Sequence, residues 1–502
     1  MIRSVRRHIA LIALFLIAFA TAGRAVTPVP TSAGSPGGTL RLSLDECVDR
    51  AISQGEDMRL AEANYATARA IYLQARSTAL PQLNLNSSYS RQIRSIFQGS
   101  GSNNGPSFDP DTTNTNALER IRYIEKNIGS AAMSGLGSLL SGTGFGSKNT
   151  YVAALSLRQK LLEGGSIWGS IAAAKHAIVS AQSARTDKKE DVVLKVREAY
   201  MAALLADRGV RIAELGIAQA ESQLKRVQLR QDAGEASEFA LLQAEVQRDN
   251  QIPAVLQARS QRQLAYLELA RLSNLPSTAR FLLTTPMLED VAVPENPAAV
   301  DTTGLVEMAL RNPGIVALEQ EVEAREHAVT VASSGKWPSL SAVANYSEQA
   351  YPNDLFPVRG DFKKDVSAGL QLSWNLFDGL RTKGAIQQSK ADRERTALTL
   401  QQTRKLIREA VLQGQLDLER AAADLHARSR TVELAKRAYE LSSLRFDEGA
   451  SDLLEVQDAR IGYQIAQTNE ARARYDYFVA LARLERYSGR PVFTSAVPVT
   501  QQ

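Results

Sequence analysis

The chain contains one sequence unit that occurs twice in tandem. Gly379 follows Gly164 by 215 positions, and Gly449 follows Gly234 by the same 215 positions. The residues around these glycines align without gaps in the two halves. The repeat predicts two similar supersecondary units in one chain.

Each repeat predicts a very long helical hairpin. In each half 70 positions separate the two glycines, and positions 111–252 and 358–490 contain no proline. The second half has apolar or small residues in alternating steps of four and three, the spacing of a coiled coil: Ile407, Val411, Gly414, Leu418, Ala421 and Leu425. A helix of this length extends about 100 Å at 1.5 Å per residue. Gly234 and Gly449 predict the left-handed turn at each hairpin tip, and Pro253 predicts a kink in the first returning helix.

Four stretches of about ten residues alternate apolar and polar side chains. They cover about 82–95, 150–160, 339–348 and 364–376. The alternation predicts strands with one apolar face, as in a half-buried soluble sheet or in a sheet that crosses a bilayer. Strands of this length span a bilayer at a tilt, which favours the membrane.

The N-terminus predicts a cleaved export signal over residues 1–25. Three arginines precede an apolar run over 9–20, and small residues surround the expected cleavage after Ala25. The apolar run is shorter than a transmembrane anchor requires. We expect a flexible N-terminal segment at 26–41.

Composition argues against several functional classes. The chain has 59 Lys and Arg residues against 54 Asp and Glu residues, and removal of the signal leaves it nearly neutral, so we expect no nucleic-acid partner. The single cysteine, Cys47, excludes an intrachain disulfide framework and predicts a small buried side chain. The sequence contains neither an HExxH nor a GxSxG motif. We therefore expect no enzymatic activity, no cofactor and no metal site.

Four strands are too few to close a barrel in a membrane. The smallest single-chain barrels use eight strands, and lipid does not tolerate an open sheet edge. The chain must therefore oligomerise if its strands cross the bilayer. Two copies would give an eight-stranded barrel filled by side chains, whereas three would give twelve strands and room for a lumen.

Four segments of the chain match one known family. They are Trp374-Asn-Leu-Phe-Asp-Gly379, its first-repeat copy Leu161-Leu-Glu-Gly-Gly165, Ala309-Leu-Arg-Asn-Pro313 and Gly449-Ala-Ser-Asp-Leu-Leu-Glu-Val-Gln-Asp-Ala459. Through them the chain resembles the TolC-like outer-membrane efflux proteins along nearly its whole mature length. The resemblance implies an α+β membrane protein: a homotrimeric 12-stranded β-barrel, with four strands per chain, continued by a long α-helical coiled-coil tunnel.

The resemblance also implies a function. The expected role is a passive outer-membrane exit duct of a tripartite efflux or type I secretion system, carrying small molecules or polypeptides. Its expected partners are outer-membrane lipid, a periplasmic adaptor (membrane-fusion) protein and an inner-membrane pump. The alternative is a periplasmic coiled-coil adaptor, which should have long hairpins but lack four bilayer-length strands. The cargo stays open.

Two acidic residues are candidates for the tunnel constriction. Glu455 and Asp458 lie where the resembled family has acidic rings, three positions apart just past the second tip. A three-fold axis would bring six carboxylates together, which favours cations and raises some of the carboxylate pKa values. Alternatively, the two acids only solvate an exposed first turn and interact with the helix dipole.

The remaining candidates lie at turns. The periplasmic tip turns, expected to contact the adaptor, include Gly234, Ser237, Gly449, Ser451 and Asp452. The strand-to-helix turns are marked by Glu163, Gly164, Asp378 and Gly379. Three positions depart from the gate of the resembled family. Ser451 replaces its basic residue, Phe446 replaces an aromatic residue that carries a hydroxyl group, and Ala240 replaces its acidic residue. We therefore expect the closed state to be held by other contacts.

The two halves differ by an insertion at about 98–150. The insertion is rich in Gly, Ser and Asn, with one helical segment predicted at 117–128. By comparison with the family it would face the cell exterior, either as a disordered loop or as a lid over the barrel mouth. We assign the first repeat to 42–300, the second to 301–490 and a C-terminal tail to 491–502.

Overall fold

The computed structural model of the chain describes residues 40–93, 116–141, 148–285, 302–352 and 354–489. The predicted signal peptide, the C-terminal tail and, within the insertion, residues 98–115 and 142–147 lie outside the described residues. The predicted flexible N-terminal segment does so up to residue 39. Its last two residues, Leu40 and Arg41, instead belong to a short strand.

Helices dominate the described part of the chain. In chain order they are α1 Leu44–Gln54, α2 Glu56–Ser77, α3 Ala117–Ser141, α4 Ser166–Asp232, α5 Glu238–Asp249, α6 Gln251–Leu272, α7 Thr302–Ala309, α8 Pro313–Ser333, α9 Arg381–Asp447 and α10 Leu453–Ser488. The long helices α4 and α9 have 67 residues each, or about 100 Å at 1.5 Å per residue. The predicted hairpins are confirmed, and the helix in the insertion is longer than its prediction at 117–128.

The strands of the described residues form two separate ladders. In chain order they are β1 Leu40–Leu42, β2 Gln82–Arg91, β3 Asn149–Glu163, β4 Phe281–Leu283, β5 Ser339–Ala350 and β6 Phe362–Ser373. β1 and β4 pair in parallel, whereas the other four form an antiparallel sheet in the order β2-β3-β5-β6. All four long strands were predicted from the alternating pattern.

The ends of the long strands differ from the sequence prediction. β2 ends at Arg91 rather than near 95, and β6 covers Phe362–Ser373 rather than 364–376. β3 continues to Glu163 because a β-bulge between Lys160 and Leu162 shifts the register with β5 and lets pairing resume. A bulge breaks the period-two alternation, which is why the pattern ended this strand at 160.

Strand register collects the predicted apolar side chains on one face of the sheet. Leu85 is paired with Leu155, Leu155 with Tyr346, and Tyr346 with Val366, and directly paired residues point to the same face. This face is open, since the side chains of Leu85 and Leu370 are 69% and 70% exposed. The sheet therefore differs from a half-buried soluble sheet, in which the apolar face packs on a core.

Each long helix packs along shorter helices placed one after another. α4 contacts α2 and α8 along its first half and α6 along its second half, while α10 contacts it from Asp187 to Gly216. α9 similarly contacts α8 and then α10.

The main apolar core lies near the middle of the long helices and includes Tyr200, Leu418 and the fully buried Cys47. The burial of Cys47 confirms the prediction for the cysteine. Five of the six predicted coiled-coil positions in α9 are buried, and Ile407 packs beside them.

The first returning helix is interrupted, whereas the second is continuous. α5 ends at Asp249 and α6 begins at Gln251, which makes Pro253 the third residue of α6. A proline ring clashes with the carbonyl four residues earlier, here that of Asp249, so the helix breaks there. The interruption lies where the sequence predicts a kink. No helix of the described residues is both long enough and apolar enough to span a membrane.

Candidate functional site: strand-to-helix turns and helical tips

The first strand-to-helix turn is tightly enclosed. Gly164 has φ +53°, and a Cβ at this position would lie 2.6 Å from the carbonyl oxygen of Ser334 and 2.9 Å from the Cβ of Trp337. Glu163 accepts hydrogen bonds from Lys160 Nζ and Ser166 Oγ, both at 2.8 Å from a carboxylate oxygen. The turn therefore requires glycine for both conformation and space.

The second strand-to-helix turn is open. Gly379 has φ +65°, but no atom of the described residues lies within 4 Å of the position of a Cβ. Asp378 accepts from the Thr382 amide at 2.9 Å and from the Thr382 hydroxyl. These hydrogen bonds, from the hydroxyl first and then the amide, lower the pKa of Asp378. The next residue, Leu380, also has a positive φ of 69°, where the first repeat has Gly165.

Both tips turn at the predicted glycines. Gly234 and Gly449 have φ values of +79° and +74°, the left-handed conformation that favours glycine. Ser237 caps α5 by accepting from the Ala240 amide at 3.3 Å, and Asp452 caps α10 by accepting from the Glu455 amide at 2.9 Å. The side-chain oxygen at each cap satisfies an N–H that the first helical turn leaves unpaired.

The two ring candidates are exposed on the first turns of α10. Glu455 accepts from Ser451 Oγ at 2.6 Å and forms an ion pair with Arg445 at 3.0 Å. Asp458 lies three residues further along the helix, so the two carboxyl groups occupy neighbouring surface positions. Within one chain, Arg445 already compensates the charge of Glu455.

Sequence reasoning missed Arg230, a residue that joins the two tips. Arg230 Nη2 donates to the carbonyl oxygens of Phe446 at 2.8 Å and Asp447 at 2.9 Å, the last two residues of α9. Its guanidinium carbon lies 4.4 Å from the centroid of the Phe446 ring. A cation at a helix C-terminus satisfies unpaired carbonyls and interacts favourably with the helix dipole. The repeat gives Arg230 an equivalent, Arg445, 215 positions later, but this equivalence does not indicate the contact with the other hairpin.

The three positions that depart from the family's gate have other contacts. Phe446 is buried in a small apolar cluster at the tips, made with Leu224, Val227, Ala244, Leu453 and Val456. Ala240 packs against this cluster, and Ser451 donates to Glu455. Among the described residues, no three His, Cys, Asp or Glu side chains are placed to hold a metal ion.

A family model for the outer membrane efflux protein matches residues 47–275 and 305–490 of the chain. The chain belongs to the outer membrane efflux protein family. The assignment rests on a match to most of the chain and agrees with the resemblance found in the turn and tip motifs.

Curated relatives of this outer membrane efflux protein include secretion and export proteins. The alkaline protease secretion protein AprF of Pseudomonas aeruginosa is 27% identical over 366 residues, covering 68% of this chain and 70% of AprF. The outer membrane protein TolC of Vibrio cholerae is 23% identical over 67% of this chain and 76% of TolC. The pyoverdine export outer membrane protein OpmQ of Pseudomonas aeruginosa is 24% identical over 89% of this chain and 83% of OpmQ.

Solved structures show the same fold. The Campylobacter jejuni CmeC outer membrane channel matches with a TM-score of 0.70 at 16% identity, covering 89% of this chain and 85% of CmeC. The open state of the Neisseria gonorrhoeae MtrE outer membrane channel matches with a TM-score of 0.67 at 17% identity, with 91% of both chains covered. The family consists of outer-membrane efflux channels, which are not enzymes. Its membership supports an outer-membrane exit duct rather than the periplasmic adaptor.

Proposed function

We propose that three copies of this chain form a passive duct through which an efflux or type I secretion system discharges its cargo across the outer membrane. The four-stranded sheets of the copies join into a 12-stranded barrel in the membrane. The long helices continue that barrel as a tunnel across the periplasm. The duct performs no chemistry, and a pump in the inner membrane drives transport.

One observation supports this proposal most directly: the sheet has an exposed apolar face and two free edges. β2 and β6 end the four-stranded sheet, so each has one side without a strand partner among the described residues. Lipid offers no hydrogen bonds to such edges, so a sheet with this apolar face must close on itself. Pairing β6 of one copy with β2 of the next removes both edges, and three copies leave a lumen.

The helices support the same assembly. Large apolar side chains project from α5 and from α9 near the tips, and their exposure in the single chain is more than half: Phe239, Leu242, Val246, Leu434 and Leu441. Exposed apolar rows of this kind are typical of helix–helix interfaces. Neighbouring copies would cover them.

The tips are the proposed docking site for a periplasmic adaptor, which connects the duct to the pump. Two turns lie at this end of the molecule. One contains Gly234 and Ser237, and the other contains Gly449, Ser451 and Asp452. The relatives AprF and OpmQ are a protease secretion protein and a pyoverdine export protein, which supports a role in export without identifying the cargo. Glu455 and Asp458 of three copies would form the acidic constriction next to these turns.

The assembly is tested by native mass spectrometry of the detergent-extracted mature protein. We expect three copies per particle, and a stable monomer or dimer would contradict the proposal.

The membrane face is tested by a matched pair of substitutions, Leu370→Arg and Gln371→Arg, on opposite faces of β6. Arginine on the lipid face costs about 2–4 kcal/mol near the bilayer centre, so only Leu370→Arg should impair insertion into vesicles. Equal insertion of the two variants would contradict the assignment of the apolar face.

A further inference from the structure

Three buried side chains near the second tip have N–H groups for which the described residues supply no acceptor. Arg460 and Gln457 lie on α10, and Gln223 lies on α4. Their side chains are 4%, 5% and 7% exposed. Both Nη atoms of Arg460 and the Nε2 atoms of the two glutamines have no hydrogen-bond partner among the described residues.

The three side chains lie along one seam between antiparallel helices. Residues Gln457 and Arg460 are three positions apart and therefore neighbours on one face of α10. At one end of the seam, Leu224 of α4 and Val456 of α10 belong to the same tip cluster. The other end is fixed by Gly216, whose Cβ position lies 2.8 Å from Nε2 of Gln464. On α4, Gln223 lies between these two points. On α10, Gln457 and Arg460 do so as well.

Two carboxylates of the tips are engaged elsewhere. Glu455 is paired with Arg445, and Asp447 lies 3.7 Å from Arg226. The amide oxygen of Gln223 accepts from Arg226, which leaves only its Nε2 for the seam. The group of α9 that interacts electrostatically with Arg460 is the Tyr439 hydroxyl, which is uncharged at neutral pH.

A buried guanidinium without a counter-charge is costly to the fold. Burial lowers the pKa of Arg460, but arginine stays protonated at neutral pH. Breaking a buried ion pair so that one charge remains unpaired destabilises proteins strongly, and buried N–H donors nearly always have acceptors. The four nitrogen atoms therefore require a negatively charged acceptor that the described side chains do not supply.

We propose that Arg460, Gln457 and Gln223 bind one small monovalent inorganic anion, chloride under ordinary conditions, in the seam between α4 and α10. One guanidinium balances one negative charge. The site offers N–H donors only, so an ion that has no proton to donate suits it better than a protonated phosphate. The ion connects the first hairpin to the second, and Arg460 lies five residues beyond Glu455, a rise of about 7.5 Å along the axis of α10. The proposal rests on the fold of one chain and not on transport.

The first test compares thermal unfolding of the purified mature protein in chloride and in gluconate at equal ionic strength. A ligand that binds only the folded state raises Tm, so replacing chloride with the bulky gluconate should lower Tm by several degrees. Arg460→Met should abolish this difference, and it should leave Tm in gluconate unchanged or higher because it removes a buried charge. Arg472→Met, at an exposed position of the same helix, should retain the chloride dependence.

The second test locates the ion. Crystals grown in bromide should show an anomalous peak between the side chains of Arg460, Gln457 and Gln223, and Arg460→Met crystals should lack it. Equal Tm values in chloride and gluconate would overturn the proposal. A chloride effect of the same size in Arg460→Met would also overturn it, because it would reflect a general salt effect. Density for water or for a carboxylate of another copy at this position would likewise overturn it.

Discussion

The two repeats have equivalent turns with different surroundings. Gly164 and Gly379 occupy the same place in the repeat and share a left-handed backbone, but only the first is enclosed by neighbouring atoms. The enclosing atoms belong to the segment after α8, which precedes the second repeat's strands. The duplication therefore preserved the backbone, while the packing of one copy on the other made the environments unequal.

The tips show the same divergence in their side chains. Arg230 contacts the end of α9 in the other hairpin, whereas its equivalent Arg445 contacts Ala450 and Glu455 in its own hairpin. One arginine thus connects the two hairpins, and the other closes a single tip. Sequence identity between repeats indicates a shared turn but not a shared contact.

The largest difference is expected between Gly164→Ala and Gly379→Ala. Both substitutions place a side chain at positive φ, which costs roughly 1–2 kcal/mol. Gly164→Ala also forces a Cβ against Ser334 and Trp337, which adds about 1–3 kcal/mol of overpacking. Thermal unfolding of the detergent-purified variants should therefore show a clearly larger fall in Tm for Gly164→Ala. Equal losses would show that the two turns have the same environment.

Arg230→Ala should loosen the contact between the hairpins. It removes two charge-assisted hydrogen bonds and a cation–π contact, an expected loss of about 2–3 kcal/mol. Arg445→Ala removes an exposed ion pair that contributes less than about 1 kcal/mol. Amide hydrogen exchange in the segment 444–452 should therefore accelerate much more in Arg230→Ala.

A matched variant separates charge from geometry at this contact. Arg230→Lys keeps the positive charge but has no planar guanidinium, so it should protect the segment only in part. If Arg445→Ala accelerates exchange as much as Arg230→Ala, the two arginines have equivalent roles and the comparison fails.

Pro253→Ala should make the first returning helix resemble the second. The substitution restores an N–H that can donate to the Asp249 carbonyl and removes the ring that clashes with it. Hydrogen exchange should slow around Asn250, with a change in stability below about 1 kcal/mol. Pro313→Ala is the control, because Pro313 begins α8, where a missing N–H costs nothing. Unchanged exchange around Asn250 in Pro253→Ala would show that another contact breaks the helix.

Much of the fold follows from local signals in the sequence. Period-two alternation predicted all four long strands, and glycine at the tips predicted the turns at Gly234 and Gly449. The end of β3 could not be predicted, because the bulge at Leu161 depends on pairing with β5. The β1–β4 ladder joins Leu40–Leu42 to Phe281–Leu283 across more than two hundred residues, and three-residue strands are too short to give a pattern.

The candidate site was predictable only where a residue contacts the backbone of its own turn. Ser237 and Asp452 cap helices that begin directly after them, and such caps depend on local sequence. Arg230 acts on the other repeat, and no local pattern distinguishes it from the exposed arginines of α4. Likewise, the buried Arg460 lies in a helix whose sequence is rich in arginine, and only packing separates it from its solvated neighbours.

Single-channel conductance in a planar bilayer tests the central claim, that this chain forms a duct constricted by acidic residues. The mature protein and the Glu455→Gln/Asp458→Asn variant should both insert and conduct. Each is also measured with the additional substitution Arg230→Ala, which loosens the contact between the tips. A multivalent cation on the periplasmic side should block only the channels that retain both acids. Equal block of both proteins would contradict the acidic constriction. Inserted trimers that never conduct, even with Arg230→Ala, would contradict the duct itself.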